Sequence, residues 1–519
     1  MENIYDVAIV GFGPAGAVAA GLLGQQGLSV FVCDKAREVY AMPRAFALDH
    51  EVLRVFQQLG IAEEVLTFAE PFTPSEFYGV DGQLIKRFIT PEPPHPLGFV
   101  PSMVFTQPEV ERVLRARVRS LPSVTIALGC ELVNVSQDTQ GASLDCRHDD
   151  GHNSTTRARY VLGCDGASSM VRGSLGIDLQ DLGFDQPWLV VDVLVNAQGL
   201  AKLPTTSVQY CEPQRPCTFL IGPKNHRRWE ISINDGEDPR QVASPEGTWQ
   251  LLSRWLTPQD GTLWRQASYR FHALVAERWR VGRVFLAGDA AHQQPPFLGQ
   301  GMCQGIRDVA NLSWKLGAVL QDGAPDTLLD TYETERKTHV IELTTRIKGI
   351  GQLVGERDLA KARARDAHLL AECGGVVTSV PRQNVQPALQ NGLFSHTPHA
   401  ANGSIFPQPW IVQGNTRIRM DARCKPGWRL LLDEGAASGE LRAAAEKAAA
   451  ARPSLQVIRV AQSTVDHAAQ SDALREAESV VGDWFNLHQC EAALVRPDNY
   501  VYGVARTALD IASLTQGMP

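Results

Sequence analysis

Asp6-Val7-Ala8-Ile9-Val10-Gly11-Phe12-Gly13-Pro14-Ala15-Gly16 runs an apolar strand pattern straight into a glycine turn. The Ala/Leu-rich stretch that follows, to residue 26, reads as a helix, and residues 29–33 read as a second strand that ends at Asp34. This is the opening of a βαβ unit, and each residue type has a physical task in it. Gly11 permits the tight turn, Gly13 lets the backbone approach a pyrophosphate, and Gly16 lets the helix pack closely. The helix start at Pro14 and Ala15 offers free N–H groups and a partial positive charge to an anion. Asp34, with Lys35 beside it in the same binding set, is placed to accept from the ribose hydroxyls of an adenosine. A glycine pattern alone also suits a turn without a ligand. Strand, helix and acid in register favour a dinucleotide site.

A second constellation is Val284-Phe285-Leu286-Ala287-Gly288-Asp289-Ala290-Ala291-His292, then Pro295, Gly299-Gln300-Gly301 and a helix to about Leu320. An apolar strand ending in an acid, followed by a glycine-opened helix, again makes an anion site. If Asp289 holds a ribityl hydroxyl, the N–H groups near Gly301 and Met302 face the pyrimidine edge of a flavin. There they stabilise the negative charge that develops on reduction. Pro295 and Met302 act by backbone only in this reading. The plainer alternative is a core strand and an amphipathic helix with an accidental Gly-Asp.

Composition bounds the rest. With 519 residues, 44% hydrophobic and 20% charged, the chain is a globular protein of several domains. A net charge of −8 argues against nucleic acid as a partner. The first residues lack a basic and an apolar region, so no secretory signal is expected. The apolar run 188–195 is interrupted by Asp192 and is too short to span a bilayer. Ten scattered cysteines without a CxxC suit reduced cytoplasmic thiols, with no metal site.

Three segments in order and spacing carry a resemblance over about the first 390 residues: the two above, and Cys164-Asp165-Gly166-Ala167-Ser168 with Arg172 between them. The sequence resembles the single-component FAD-dependent aromatic hydroxylases typified by para-hydroxybenzoate hydroxylase. The resemblance implies that Arg44 in Pro43-Arg44-Ala45 and Gln107 in Thr106-Gln107-Pro108 contact FAD. It also implies that Asp165 serves the flavin diphosphate and the nicotinamide cofactor. The wording from His292 to Met302, and Arg307-Asp308-Val309-Ala310-Asn311-Leu312, is most similar to the 3-(3-hydroxyphenyl)propionate hydroxylase branch. The C-terminal unit resembles that branch's thioredoxin-like tail through Trp428 and Leu494-Val495-Arg496-Pro497-Asp498. It lacks CxxC, so disulfide exchange is not expected of it.

The expected fold is therefore α/β, with a Rossmann-type FAD-binding domain, an inserted β-sheet substrate domain and a C-terminal thioredoxin-like α/β domain. The FAD-binding domain is assigned to 1–69, 98–180 and 274–378, and the substrate domain to 70–97 and 181–273. Residues 379–409, rich in Pro, Asn, Gly and His, read as a linker, and 410–519 as the third domain. Helices are expected across 327–372, weakened at Gly349 and Gly351.

The resemblance implies that NADH or NADPH reduces FAD. Oxygen then adds to give a flavin hydroperoxide, whose distal oxygen passes to a small phenolic substrate ortho to its hydroxyl. A base near that hydroxyl should help, because a phenol is a poor nucleophile until it loses its proton. His50, Tyr210 and His292 are the candidates, although a lone His or Tyr is more often a structural residue. A substrate carboxylate would need a cation, for which Arg215, Lys224, Arg227 and Arg228 are available, although such a run is more often a solvated surface. The alternatives are a monooxygenase for a larger polyketide, polyphenol or antibiotic, and a non-enzymatic flavin-binding protein. A flavin halogenase is disfavoured, since no two of the ten tryptophans are two apart. A homodimer is among the assemblies open to the chain.

Overall fold

The computed structural model describes residues 4–462 and 472–519. Val7, Ala8, Ile9 and Val10 run without a polar break because their strand is buried on both faces. Strand Tyr5–Val10 pairs in parallel with Val30–Asp34 on one side and Asn153–Gly163 on the other. Val124–Leu128 and Val284–Leu286 extend the parallel run. Arg280–Val281, Ala142–His148 and Cys130–Gln137 complete an eight-stranded sheet. Helix Pro14–Gln25 starts just beyond the end of Tyr5–Val10, and helix Gly301–Gln321 follows Val284–Leu286. Both helices therefore begin on the carboxyl side of the parallel strands, where open α/β sheets bind ligands.

A second sheet has nine strands. Two β-rich stretches far apart in sequence meet in it, because Ser75–Tyr78 pairs in parallel with Ser207–Tyr210. Its centre is the antiparallel set Gly261–Ala276, Leu179–Val195, His226–Ser232 and Cys217–Ile221. Side chains alternate across it with the period of two that a strand imposes. Leu189, Val191, Val193, Trp229 and Ile231 pack into a core on one face. Val190, Asp192, Arg228 and Glu230 turn to the other, and three of those four are polar.

Residues 379–409, whose composition suggests a linker, are packed against the body at both ends, with 396–398 exposed between them. Ser379–Pro381 adds an edge strand beside Leu84–Ile89, and Arg382, Leu389, Phe406 and Gln408 are buried. Helix Asp330–Val354 runs unbroken through Gly349 and Gly351, contrary to the weakness expected there. At Gly351 a Cβ would sit 2.4 Å from the Phe297 ring, so the glycine admits a close neighbour and that packing outweighs its low propensity.

The C-terminal region forms a five-stranded sheet centred on Trp428–Asp433, flanked by helices Gly439–Ala451 and Ala508–Gln516. It is fastened to the helices of the first sheet. Trp428 meets Trp314 edge to face at 5.8 Å. Arg496 forks onto the buried Glu335 at 3.0 and 2.7 Å, and Lys315 reaches the same carboxylate at 2.8 Å. Burial would raise Glu335, but these two cations hold it down at about 2. Burial and the nearby Arg496 push Lys315 down to about 8.

Candidate active site

The three glycine segments converge at the ends of three adjacent parallel strands. Cys164 N donates to Val10 O at 2.7 Å, and Ala287 N to Gly163 O at 2.9 Å. Gly11, at φ +98°, has no room for a side chain, since a Cβ would lie 2.4 Å from Cys164 O; at Gly16 one would lie 1.9 Å from Gly11 O. Gly13 differs, because a Cβ there would meet nothing within 4 Å. It faces a cavity of about 430 Å³ whose wall includes Gly13, Pro14, Ala15, Arg44, Gln107, Gly288, Asp289, Gly299, Gly301 and Met302. Neither Gly13 nor Gln300, the residues that precede the two helices, gives a side-chain cap. The first-turn N–H groups are thus left for an anion. An uncapped helix end over open space, with Asp289 beside it, fits a flavin dinucleotide.

Gly11, Gly16, Asp34, Lys35, Asp165 and Pro295 lie outside that wall. Asp34 accepts from Phe12 N and Ala36 N, both at 2.7 Å, and so shapes the first loop. Asp165 is engaged by Ser169 Oγ at 2.5 Å and Val171 N at 3.0 Å. Pro295 is buried and Lys35 exposed. Arg172 bridges two of the segments, donating to Ala290 O at 2.9 Å and Ala167 O at 2.8 Å. Gln107 holds the Arg44 loop, its Oε1 accepting from Arg44 N at 2.8 Å and from Ala45 N.

Two residues that shape this wall escape the sequence reading. Arg115 Nε donates to Phe12 O at 3.1 Å. Asp308 accepts from Gly288 N at 3.0 Å, His292 Nε2 at 2.7 Å and Arg336 Nε at 3.0 Å, fixing the Gly-Asp turn. Gln107, Glu111 and Arg115 recur every four residues, a spacing that puts them on one helix face and could have signalled the first.

The opposite wall comes from the nine-stranded sheet and includes Val190, Thr218, Leu220, Arg228, Glu230, Arg265, Tyr269 and Phe271, with Phe46, Phe72, Phe297 and Arg382 around it. Arg228 forks onto Asp192 at 2.7 and 3.0 Å, and donates to Arg44 O at 2.9 Å and Pro43 O at 3.2 Å. Arg265 reaches Pro43 O at 2.5 Å and also bonds the Tyr269 hydroxyl. These two arginines tie the sheet to the loop that carries Arg44. Burial would raise the Asp192 carboxyl, but Arg228 and His226 hold it below the usual range.

Glu230 is in a different position. It is only 3% exposed, and no side chain among the described residues hydrogen-bonds its carboxylate. Burial pushes it up to about 7, with Arg228 and Arg265 pulling the other way and Asp192 adding to the rise. A buried cavity carboxyl that titrates near neutrality is suited to proton handling.

The structure brings none of the three proposed bases to the cavity wall. His50 is buried at the start of helix His50–Leu59, and burial pushes it down to about 4. His292 pairs through Nε2 with Asp308 at 2.7 Å and stacks on Trp279 at 5.3 Å. Tyr210 packs with the core on the far side of the sheet, where its hydroxyl accepts from Trp255 Nε1 at 3.2 Å. Among the four cations considered for a carboxylate, Arg215 pairs with Glu237 at 2.6 Å, Arg227 donates to the Lys224 and His226 carbonyls, and Lys224 is exposed. Only Arg228 lines the cavity, and Asp192 already occupies it.

Residues 4–347 match the family model described as FAD binding domain. The chain is also 38% identical over 522 residues to a probable NADH-specific resorcinol 4-hydroxylase of Rhodococcus jostii (strain RHA1), covering 99% of this chain and 94% of that protein. The chain belongs to the FAD-dependent aromatic hydroxylases. This hydroxylase is 32% identical over 516 residues to a 3-(3-hydroxy-phenyl)propionate/3-hydroxycinnamic acid hydroxylase of Burkholderia cenocepacia (strain HI2424), covering 96% of this chain and 94% of that one. Its residues 403–516 match the HcaD C-terminal domain. Its fold is shared with the flavin-dependent monooxygenase PieE, solved with FAD and substrate, at TM-score 0.79 and 23% identity, covering 100% and 99% of the two chains. Aklavinone-11 hydroxylase, solved with FAD and aklavinone, is similar at TM-score 0.80 and 23% identity, covering 99% of each chain. Among the described residues no helix is long and apolar enough to cross a membrane.

Proposed function

We propose that the hydroxylase inserts one atom of O2 into a small phenol, ortho to its hydroxyl, with FAD as cofactor and NADH as reductant. The observation that carries this reading is Glu230, a buried carboxyl without a partner, on the cavity wall opposite the FAD cradle. A phenol becomes a good nucleophile only as its O–H bond is weakened, and Glu230 accepts that proton. Val190, Leu220, Phe271 and Phe297 keep water from the ring. FAD, reduced by NADH, supplies the activation of O2. The first turn of helix Pro14–Gln25 holds its diphosphate, Asp289 its ribityl chain, and the N–H groups of Gly301 and Met302 its pyrimidine edge. The Rhodococcus relative's name supports NADH over NADPH.

The same reading takes 1–69, 98–180 and 274–378 as the FAD-binding domain and 70–97 with 181–273 as the substrate domain, which the two large sheets support. The C-terminal sheet and its helices support a thioredoxin-like domain without redox function. All ten cysteines are free, which suits a cytoplasmic enzyme. Aklavinone-11 hydroxylase, solved with aklavinone, is only 23% identical and carries no substrate argument, and no observation favours the alternative of a larger substrate.

The test is a panel of resorcinol, 3-(3-hydroxyphenyl)propionate, 3-hydroxycinnamate and bulky polyphenols, scored for NADH consumption and hydroxylated product. Coupled product from one or more of the small phenols is expected. Coupled product from the bulky compounds alone would overturn the small-phenol reading.

A further inference from the structure

Five arginines line the cavity, and four have evident work. Arg228 serves Asp192 and the Pro43 and Arg44 carbonyls. Arg265 serves Pro43 O and Tyr269. Arg270 pairs with Asp185 at 2.7 Å. Arg44 is exposed at the FAD end, over the Tyr40 ring.

Arg382 is the remainder. It follows the edge strand Ser379–Pro381, is 8% exposed, and stacks its guanidinium 4.2 Å above the Phe72 ring. Among the described residues no carboxylate pairs with it and no carbonyl accepts from it. Burial pulls it down to about 10, so it is still charged at neutral pH. A buried cation without a counter-ion is costly, and the cost is relieved when an anion enters. Around it Phe46, Phe72 and Leu220 form an apolar cluster that suits an aromatic ligand, and the nearby Arg228, over the Phe46 ring at 4.8 Å, is already neutralised by Asp192. Stacking on Phe72 pre-orients the planar fork of donors, which matches the two oxygens of a carboxylate.

We propose that Arg382 binds a carboxylate on the side chain of the substrate, and so sets a preference for phenols that carry an acid. This rests on the hydroxylase reading above. It assigns specificity to a residue just past the edge strand of the nine-stranded sheet, in the stretch whose composition suggests a linker.

The test uses FAD-loaded wild type, Arg382→Met and Arg382→Lys. The ligands are 3-(3-hydroxyphenyl)propionate, its neutral counterpart 3-(3-hydroxyphenyl)propan-1-ol, resorcinol, and 3-phenylpropionate, which has no phenol to hydroxylate. Binding is read from the perturbation of flavin absorbance, and turnover from product. Arg382→Met should weaken binding of both acids by about 10- to 100-fold, the range for a charged hydrogen bond. The alcohol and resorcinol should stay within about twofold, and Arg382→Lys should recover part of the loss. Equal losses for acid and alcohol, no loss for the acids, or loss of flavin from Arg382→Met would overturn the assignment. So would a wild type that binds the acid no better than the alcohol. If no phenol in the set is hydroxylated, the functional reading fails, while 3-phenylpropionate binding still decides the role of Arg382.

Discussion

Replacing Glu230 by Gln keeps the shape of the side chain and removes its ability to take a proton, so the variant isolates one chemical step. Burial moves the carboxyl from 4.5 to about 7, so about half of the wild-type molecules hold the ionised form at pH 7. The wild-type kcat/KM should climb with pH through a limb near 7 and level off above it. The variant should lose that limb and about 100-fold or more in the rate of product formation. It should keep its flavin, because Glu230 lies across the cavity from the FAD cradle. Its NADH consumption should end increasingly in hydrogen peroxide. Stability supplies an independent readout. The folded pKa is raised above its unfolded value, so the penalty is absent below pH 4.5 and complete only above pH 7. At about 1.4 kcal/mol per tenfold, the ionised form costs about 3 kcal/mol. Without FAD, the variant should therefore gain up to about that much over wild type between pH 5 and pH 8, measured by denaturant unfolding. A variant with wild-type turnover and an unchanged acid limb would refute the assignment, whatever its stability.

Three further outcomes follow from the geometry. Gly13→Glu should yield colourless protein, because its side chain would enter the cavity and put a negative charge where the diphosphate binds; full flavin release on denaturation would contradict the cradle. Glu335→Ala leaves Arg496 and Lys315 buried without their shared carboxylate, and should cost about 3–5 kcal/mol in chemical unfolding. Because Glu335 is held at about 2, that deficit should be full above pH 4.5 and shrink as the pH falls towards 2. The double variant Cys424→Ser, Cys490→Ser should turn over near the wild-type rate, since burial pushes these thiols up to about 11 and about 12 and leaves them protonated. A large catalytic loss there would restore a thiol role to the C-terminal region.

The cofactor cradle was legible in the chain because its parts are local. Strand, turn and helix start lie within a few residues at Val10 to Gly16 and within about one short loop at Leu286 to Gly301, and the positive φ of Gly11 together with the Cys164 carbonyl against it explains why glycine is needed there. What stood behind the cradle was less legible. Asp34 and Asp165 hold loops, and Asp308 fixes the Gly-Asp turn from a helix twenty residues further on. His292 illustrates the difficulty: its place beside the motif suggests chemistry, yet its Nε2 pairs with Asp308 and its side chain lies off the cavity wall.

The candidate catalytic wall was decided by tertiary structure. Sequence periodicity marks residues 226–232 as a strand but does not say which face meets the cofactor, because that depends on how the nine-stranded sheet docks on the eight-stranded one. Docking turns Arg228 and Glu230 inward and leaves Tyr210 on the far side. Packing then sets the chemistry, since Glu230 titrates near neutrality only because folding buries it, and Arg228 is unavailable only because Asp192 lies opposite it on the next strand. Arg382 is the extreme case, a charged residue in a stretch that reads as linker, brought to the cavity by one short edge strand. Sequence by itself marked the candidate cofactor segments, because strand, glycine turn and helix start are short-range features. The substrate site waited for the fold, because burial and charge pairing depend on neighbours that are remote along the chain.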